Sequence, residues 1–421
     1  MTATTTPARS ESGVADRLWD LVCTATGHTP ALRLRAWDGS EAGPPDVPVL
    51  ALNDRALLRR LFWRPGELSL ARAWAAGEID VEGDLGEALR RIRAEVAAAR
   101  RAPRGLRVRI GVRAAAYGLR HGMLGRPPAR PAAEATLTGM RHSRRRDRAA
   151  AAFHYDLSNE FYRLLLDPSM AYSCAYWPPD EPADLGRAQR AKLDLICAKL
   201  GLSPGHRLLD VGCGWGSLTC HAARHHGARV TAITVSRQQH DFVAGRIAAE
   251  GLGDRVDLRL QDYRDPAGGG YDAVAAVEMG EHVGAAEYPA FATRLHDLAR
   301  PGGRVLVQQM SRGSRRPGGG AFIEAYIAPD MHMRPLGATV SLLAEAGLEI
   351  RGVEAMREHY GRTIRDWLAR LDAQWPAAVG LIGLPRARIW RLYLAGGAQA
   401  FEDGRMGVDQ ILAVRPEVGA R

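Results

Sequence analysis

The spacing of apolar positions changes at about Arg187, and from there onward short apolar runs alternate with segments of helical period. Five apolar runs predict strands at Leu208–Val211, Arg229–Val235, Val256–Leu260, Tyr271–Val277 and Arg304–Val307. The other segments predict helices at Gln189–Lys199, Leu218–His226, Arg237–Glu250, Tyr288–Ala299, Ala338–Ala346, Thr363–Gln374 and Arg386–Phe401. This order is typical of an α/β fold with a doubly wound, mostly parallel sheet, which Ile411–Val414 is expected to complete as an antiparallel strand.

The first hundred residues show a mixed pattern. LRLRAWDG and VPVLALN predict short strands, ALLRRLFW predicts a helix, and residues 68–92 predict a loop followed by a helix. Short strands beside helices indicate a small α+β domain. Residues 101–150 combine an arginine-rich amphipathic helix with a proline-rich linker. We expect a disordered tail over 1–15, an α+β domain with a basic linker that faces lipid or membrane over 16–135, and a catalytic domain over 140–421.

The charge pattern adds a class of partner to this picture. The chain has a formal net charge of +10, and arginine is concentrated between Arg100 and Arg148. Such a patch suits phosphates, either of nucleic acid or of anionic lipid head groups. No apolar run of about 18 residues is present, and the N-terminus lacks the apolar core of a signal peptide, so we expect a cytoplasmic protein. The five cysteines contain no C-x-x-C pair, which predicts neither a disulfide framework nor a metal site.

The sequence RLLDVGCGWG places three glycines directly after a predicted strand. Gly212, Gly214 and Gly216 would let the backbone approach a ligand where a Cβ would clash, with helix N–H groups facing it. With Asp210 before them, they resemble the glycine loop of class I S-adenosylmethionine-dependent methyltransferases. A glycine loop alone is also common in plain tight turns, so the downstream pattern must decide between the two.

Three further polar stretches follow predicted strands, at the edge of a doubly wound sheet where ligands bind. Hydroxyl and amide groups follow the second strand, and no acid stands there to hold a ribose. An amide, a carboxylate and an aromatic ring suited to adenine follow the third strand, and two carboxylates with an imidazole follow the fourth. These residues are Thr234, Ser236, Gln239, Gln261, Asp262, Tyr263, Glu278, Glu281 and His282. Polar groups at four consecutive strand ends favour a ligand site over solvated loops.

The segments HYDLSNEFY and YSCAYW mix aromatic and polar residues too densely for a plain core helix. Together with DVGCGWG and EMGEHVG, they resemble the cyclopropane-fatty-acyl-phospholipid synthase family, which includes the mycolic acid cyclopropane synthases. The resemblance extends from about Arg144 to Arg415 and is weaker over the N-terminal domain. It implies a seven-stranded methyltransferase sheet and transfer of a one-carbon unit from S-adenosylmethionine to the cis double bond of an unsaturated phospholipid acyl chain.

The resemblance also implies a cofactor site, residue by residue. Positions near the amino acid part of S-adenosylmethionine match Tyr172, Ser173, Asp210, Gly212, Gly214 and Gly216. Positions on the ribose side match Thr234, Ser236 and Gln239, and positions on the adenine side match Gln261, Asp262 and Tyr263.

Family members hold a bicarbonate ion that accepts the proton lost in the reaction. Cys174, Glu281 and Tyr360 match three of its contacts. Many members carry a histidine where this chain has Gln308, which can hydrogen-bond an anion but cannot relay a proton. His282 is a further catalytic candidate, although a structural role is favoured for it.

The chemistry implied by the resemblance sets the character of the pocket. Attack of the alkene on the sulfonium methyl leaves a carbocation, so the pocket should be dry and lined by apolar and aromatic groups. Glu281, or a bicarbonate that it orients, is the expected base. Loss of a proton from the new methyl closes a cyclopropane ring, whereas loss that gives an exocyclic alkene yields a 10-methylene chain. With Gln308 in place of the histidine, the sequence does not decide between the cyclopropane and the 10-methylene product.

Two other functional classes compete with this interpretation. A nucleic acid methyltransferase would suit the positive charge, but the chain lacks a DPPY-type or NPPY-type tetrapeptide and a Pro-Cys nucleophile. A non-catalytic lipid-binding relative is supported only by the missing histidine. We therefore expect a lipid-modifying enzyme, peripherally bound to the membrane surface, with no nucleic acid partner and with the family's leaning toward a homodimer.

Overall fold

The structure is a computed structural model that describes residues 13–120, 126–155, 157–179, 184–265, 268–313 and 317–417. The chain divides into two compact units, Met1–Ala133 and Glu134–Arg421. Residues 1–12 of the predicted disordered tail lie outside the described residues. The expectation is wrong for its last two residues, which begin helix α1 (Val14–Thr26). The Asp16 carboxylate accepts a hydrogen bond from the N–H of Gly13 at 2.8 Å and so closes the first turn of this helix.

Within its described residues, the first unit combines a four-stranded sheet with five helices. After α1 its elements are β1 (Arg33–Ala36), β2 (Glu41–Ala42), β3 (Val49–Leu52), α2 (Ala56–Trp63), α3 (Glu67–Ala75), β4 (Ile79–Glu82), α4 (Leu85–Arg101) and α5 (Arg104–Arg120). The strand order is β2-β1-β3-β4, in which β1 and β3 pair in parallel and the other neighbours pair antiparallel.

The first unit has the predicted α+β character, and α2 coincides with ALLRRLFW. Strand β4 was not predicted, because the pattern over residues 68–92 indicated only a loop and a helix. It pairs antiparallel with β3, which buries Ile79 while Glu82 stays exposed. A buried ion pair between Arg60 and Glu78, 2.7 Å apart, joins α2 to the residue just before β4.

The second unit is larger and contains a seven-stranded sheet. Its described elements are α6 (Arg144–Tyr155), α7 (Asn159–Leu165), α8 (Leu185–Leu200), β5 (Arg207–Val211), α9 (Ser217–His225), β6 (Arg229–Thr234), α10 (Arg237–Ala249), β7 (Val256–Leu260), β8 (Tyr271–Val277), a 3-10 turn (Gly280–His282), α11 (Tyr288–Leu298), β9 (Ala299–Ser311), α12 (Ala321–Tyr326), α13 (Leu336–Glu345), β10 (Glu349–Ala355), α14 (Arg357–Ala373), α15 (Trp375–Ile382), α16 (Leu384–Glu402) and β11 (Gly407–Val414).

The predicted doubly wound, mostly parallel sheet is confirmed. The strand order is β10-β11-β9-β8-β5-β6-β7, with β5 to β9 parallel and β11 antiparallel between β9 and β10. Helices cover both faces because alternate residues of a strand point to opposite sides. In β5, Leu208 packs with residues of α8, α9 and α10, whereas Leu209 and Val211 pack with residues of α11 and α13.

Two features of the second unit were not visible in the apolar pattern. Strand β10 lies at the sheet edge, and its polar residues Glu349, Arg351 and Glu354 break up any apolar run. Helices α7, α14 and α16 share a third core cluster that is rich in aromatic residues. In the part of the chain that the structure describes, no helix is both long enough and apolar enough to span a bilayer.

Candidate active site

The glycine loop after β5 turns with three residues in the left-handed region. Gly212, Gly214 and Gly216 have φ of 81°, 55° and 78°, which glycine adopts without the steric cost of a Cβ. The N–H of Gly212 donates to the Ile233 carbonyl at 3.0 Å and ties the loop to β6. A Cβ at Gly212 would lie 3.0 Å from Met279 Cγ, whereas one at Gly214 would meet nothing within 4 Å. The loop therefore leaves open space at Gly214 for a ligand.

A cavity of about 160 Å³ lies at the carboxyl ends of β5, β6, β7 and β8. Eleven predicted cofactor residues line it: Tyr172, Ser173, Asp210, Gly212, Gly214, Thr234, Ser236, Gln239, Gln261, Asp262 and Tyr263. Gly216 does not line it and instead caps the N-terminus of α9. The geometry thus gathers these residues around one space, and their individual roles in binding stay predictions.

The side chains expected to face the ribose and the adenine are held by their neighbours. The Ser236 hydroxyl accepts from the N–H of Gln239 and caps α10, and the Thr234 hydroxyl donates to the Gln239 side chain at 2.9 Å. Burial acts to raise the pKa of Asp262, but hydrogen bonds from Arg264 outweigh it and lower the pKa overall. Asp262 is therefore a fixed carboxylate in the cavity wall whose ionised form is stabilised by Arg264.

Lys192 is a buried cation on the cavity wall that the sequence analysis did not single out. Its ammonium donates to the Ser173 hydroxyl at 2.8 Å. Burial lowers the pKa of Lys192, and the nearby carboxylates of Glu278 and Asp167 oppose that effect. A single lysine in the sequence of an amphipathic helix does not show whether it faces solvent or a site. Only the folded structure shows that Lys192 of α8 lines the cavity.

Glu278, the first residue after β8, is the centre of a converging set of donors. Its carboxylate accepts from the N–H of Cys174 at 2.7 Å, from the Gln308 side-chain amide at 2.8 Å and from the Tyr360 hydroxyl at 2.6 Å. The backbone of Glu278 has φ 51°, a left-handed conformation that costs a residue with a Cβ about 1–3 kcal/mol. Strain at a residue whose side chain is this well held is typical of a functional position.

Gln308 is oriented by a chain of polar groups behind it. The side-chain amide of Gln410 donates to Gln308 Oε1 at 2.9 Å, and Lys199 donates to Gln410 Oε1 at 2.6 Å. Lys199 also pairs with Glu354. Because Gln308 Oε1 is already an acceptor, the NH₂ group of Gln308 must face Glu278.

Glu281 lies three residues further on, in a different environment. One of its carboxylate oxygens accepts from the N–H of Met310 at 2.5 Å, and the other has no hydrogen-bond partner among the described residues. Burial, followed by the charge of Glu278, raises the pKa of Glu281 to about 8. Burial also raises the pKa of Glu278, but its three donors and Lys192 oppose the rise.

The structure therefore corrects the predicted bicarbonate contacts. Cys174 and Tyr360 do converge with Gln308, but on the carboxylate of Glu278, and Glu281 is not part of this set. The donors that a bicarbonate would need are already paired with a protein carboxylate, so these residues do not fit the ion. Both acids stand in EMGEHVG, and the sequence grouped Glu281 with these donors, because spacing within a loop does not show which carboxylate distant donors reach.

His282 lines the cavity, in keeping with its place among the candidates. Its Nε2 is 3.1 Å from the Tyr155 hydroxyl, and burial lowers its pKa to about 4. The ring is therefore neutral near pH 7 and acts as a hydrogen-bonding partner of Tyr155.

The aromatic rings of Tyr155, Tyr172 and Trp215 line the same cavity as Glu278. Tyr162 and Trp215 have ring centroids 4.4 Å apart, and Tyr155 packs on the edge of Trp215 at 5.8 Å. Tyr172 lies 6.2 Å from Trp390 and adds its ring to the same group. An apolar, π-rich wall next to a carboxylate can hold a cation while keeping water away from it.

Comparisons with known proteins agree with this geometry. The sequence model of the family described as mycolic acid cyclopropane synthetase matches residues 142–411. A probable fatty acid methyltransferase of Pseudomonas putida is 39% identical over 398 residues, which cover 92% of this chain and 93% of that protein. The cyclopropane-fatty-acyl-phospholipid synthase of Escherichia coli K12 is 34% identical over 248 residues, which cover 59% of this chain and 63% of that protein.

Among solved structures, that of the mycolic acid cyclopropane synthase CmaA1 with SAH and CTAB aligns with a TM-score of 0.60 and 30% identity. The alignment covers 63% of this chain and 98% of that one. The family match spans more than half of the chain and includes the glycine loop, Glu278, Gln308 and Tyr360. The chain therefore belongs to the mycolic acid cyclopropane synthetase family and is an S-adenosylmethionine-dependent methyltransferase that acts on lipids.

Proposed function

We propose that the protein transfers a one-carbon unit from S-adenosylmethionine to the double bond of an unsaturated phospholipid acyl chain, and that the Glu278 carboxylate removes the final proton. The observation that carries this proposal is the position of Glu278. Its carboxylate is held by donors from three separate segments, and it lines the same cavity as the glycine loop.

The cavity offers suitable groups for each part of S-adenosylmethionine, which supplies an electrophilic methyl group on a sulfonium ion. Ser173 and the open face of Gly214 would hold its amino acid part. Thr234 and Gln239 would contact the ribose, and Asp262 would accept a hydrogen bond from the adenine amino group. Asp210 lies in β5 just before the glycine loop and is buried, and burial raises its pKa to about 6.

The π electrons of the acyl double bond form the new carbon–carbon bond, and the neighbouring chain carbon becomes a cation. Tyr172 and Trp215 present ring faces and edges that stabilise this cation and exclude water. Glu278 then takes a proton from the transferred methyl, and the electrons of that C–H bond close a three-membered ring. Tyr360 keeps its own proton, because burial and then the charge of Glu278 raise its pKa well above the usual value.

A second product can arise from the same cation. If a hydrogen moves with its electrons from the methylated carbon to the cation, removal of a methyl proton gives an exocyclic methylene group instead of a ring. Two features make this outcome worth testing. The proposed base is a protein side chain with a limited reach, and Gln308 stands where many members carry histidine. The reach of Glu278 toward the chain then determines which proton it takes.

Mass spectrometry of the acyl chains tests the proposal directly. The full-length protein would be incubated with S-adenosylmethionine and vesicles of unsaturated phospholipid, with a Glu278→Gln sample as the control. A gain of one CH₂ with loss of the double bond indicates ring closure, and the same gain with a reducible bond indicates the methylene product. No mass gain on phospholipid, with S-adenosylmethionine still bound, would contradict the proposed substrate.

The first unit supplies a surface that suits peripheral membrane binding. Phe62 and Trp63 are exposed at the end of α2, and the exposed guanidinium of Arg64 follows them. Aromatic rings of this kind settle at the membrane interface, and arginine is attracted to anionic head groups. We propose that this turn contacts the lipid surface.

Vesicle flotation measures that contact. Trp63→Ala should weaken binding to anionic vesicles several-fold, and raised salt should weaken it further, whereas Val353→Ala, an exposed apolar residue on β10, serves as the matched control. Equal losses in both variants, or unchanged binding of Trp63→Ala, would contradict the proposal. The expected homodimer stays a prediction.

A further inference from the structure

A second group of chemistry-bearing side chains lies away from the active-site cavity. Cys197 on α8, His221 on α9 and His226 just after α9 each offer one ligand atom, and these atoms lie within 4.8 Å of one another. Cys197 and His221 are buried, and His226 is partly exposed. None of the three lines the cavity around Glu278.

The carboxylate of Asp194, one turn before Cys197 on α8, lies beside the same group. Its Oδ1 is 2.7 Å from His221 Nε2 and 3.9 Å from His226 Nε2. Residues three apart share one face of a helix, so Asp194 and Cys197 both point toward α9. About half of the Asp194 side chain is exposed, which opens the group to solvent on one side.

We propose that Asp194, Cys197, His221 and His226 form a binding site for one zinc-class divalent cation. One thiolate, two imidazoles and one carboxylate are a ligand set that Zn²⁺ takes in tetrahedral geometry. At Zn–N and Zn–S distances of about 2.1 and 2.3 Å, ligand atoms stand about 3.4–3.8 Å apart. With ligand atoms up to 4.8 Å apart, the side chains must close by about 1 Å, which rotamer adjustments can supply.

The competing explanation is that His221 and Asp194 form an ordinary ion pair and that Cys197 only fills the core. The two explanations differ in one respect that can be measured. Only the cation site places a thiolate on the metal, since binding displaces the thiol proton. A spectroscopic signal from a metal–thiolate bond therefore separates them.

Such a cation would stabilise the scaffold of the active site without taking part in its chemistry. Helix α9 starts at the glycine loop, and α8 carries Lys192, which holds Ser173. The ligands lie toward the C-terminal ends of both helices, so a bound ion would link them on the side away from the cavity. Binding to the folded state alone raises stability in proportion to the logarithm of the metal concentration.

Titration of tag-free, full-length protein with Co²⁺ tests the site. We expect one Co²⁺ per chain, a thiolate-to-cobalt charge-transfer band in the near ultraviolet, and displacement by Zn²⁺. Cys197→Ser should abolish the band, and Cys220→Ser should keep it, because Cys220 is a matched buried thiol on α9 outside the group. Loss of a residue that only hydrogen-bonds a metal ligand weakens metal binding about 10–100-fold. Because His226 would be a ligand itself, His226→Gln should weaken binding at least that much.

Three results would overturn the proposal: no charge-transfer band in the parent protein, a band that persists in Cys197→Ser, or a band lost equally in Cys220→Ser. If Cys197→Ser does not fold, His226→Gln provides the test, because this side chain is partly exposed and its replacement leaves the core intact. Unchanged Co²⁺ affinity in His226→Gln would then reject the site. Catalytic activity is not needed for any of these readouts.

Discussion

Glu278 and Glu281 are the same residue type three positions apart, Glu278 half-buried on the cavity wall and Glu281 fully buried, and their surroundings differ sharply. Glu278 meets a backbone N–H, an amide and a phenol that arrive from three other segments of the chain. Glu281 accepts from one backbone N–H, and its second oxygen has no hydrogen-bond partner among the described residues. Donors stabilise the ionised form of a carboxylate, whereas burial without them favours the protonated form.

The contrast teaches that burial alone does not identify a base. A base must be ionised in order to accept a proton, and it must face the substrate. Glu278 lines the cavity and has three donors that oppose the rise in its pKa caused by burial, whereas Glu281 is directed toward the backbone of β9. Glu281 with a raised pKa is better understood as a neutral, structural acid near pH 7.

The largest expected effect is on turnover in Glu278→Gln. Removal of a general base costs about 10²–10⁴-fold in rate, so we expect a loss of that size with S-adenosylmethionine affinity within about twofold of the parent, because the cofactor ligands are unchanged. Initial rates and calorimetry measure the two quantities. Glu281→Gln is the matched control, and an equal loss of turnover in that variant would return the role of base to Glu281.

A smaller effect is expected when the support of Gln308 is removed. In Gln410→Leu, Gln308 Oε1 loses its donor, so the Gln308 amide is held less firmly toward Glu278, and the pKa of Glu278 should rise. Because activity needs ionised Glu278, the acidic limb of the pH–rate profile should move to higher pH, and on that limb a shift of one pKa unit lowers kcat by up to about tenfold. Asp409→Asn, on the neighbouring position of β11, is the control, and identical pH profiles for the parent and Gln410→Leu would count against positioning.

The smallest effect is on stability in Glu281→Gln. Burial raises the pKa of Glu281 from 4.5 to about 8, so the folded state binds this proton more tightly than the unfolded chain does. The parent protein therefore loses stability as pH rises from about 4.5 toward 8, and a neutral glutamine avoids that loss. Thermal unfolding should show Glu281→Gln more stable by on the order of a few degrees at pH 9 and similar to the parent at pH 5. A stability gain of equal size at both pH values would contradict the raised pKa.

Much of the scaffold follows from short-range pattern. Val256–Leu260 and Tyr271–Val277 were predicted with the bounds that the structure shows. Tyr271–Val277 is a buried parallel strand and a nearly continuous apolar run, whereas Val256–Leu260 alternates apolar and charged residues with the period of a strand. The edge strand β10 escaped prediction for the opposite reason, since its exposed residues interrupt such a run. The glycine loop was visible because its left-handed residues require glycine.

By itself, the sequence determined the parallel sheet, the strand ends where a cofactor would bind, and the family motifs around Cys174 and Tyr360. Only the tertiary structure decided which glutamate these motifs serve. The donors to Glu278 stand 104, 30 and 82 positions away along the chain. Periodicity reports the environment of neighbouring residues, whereas the ionisation of a buried carboxylate depends on whichever distant groups folding brings within hydrogen-bonding distance.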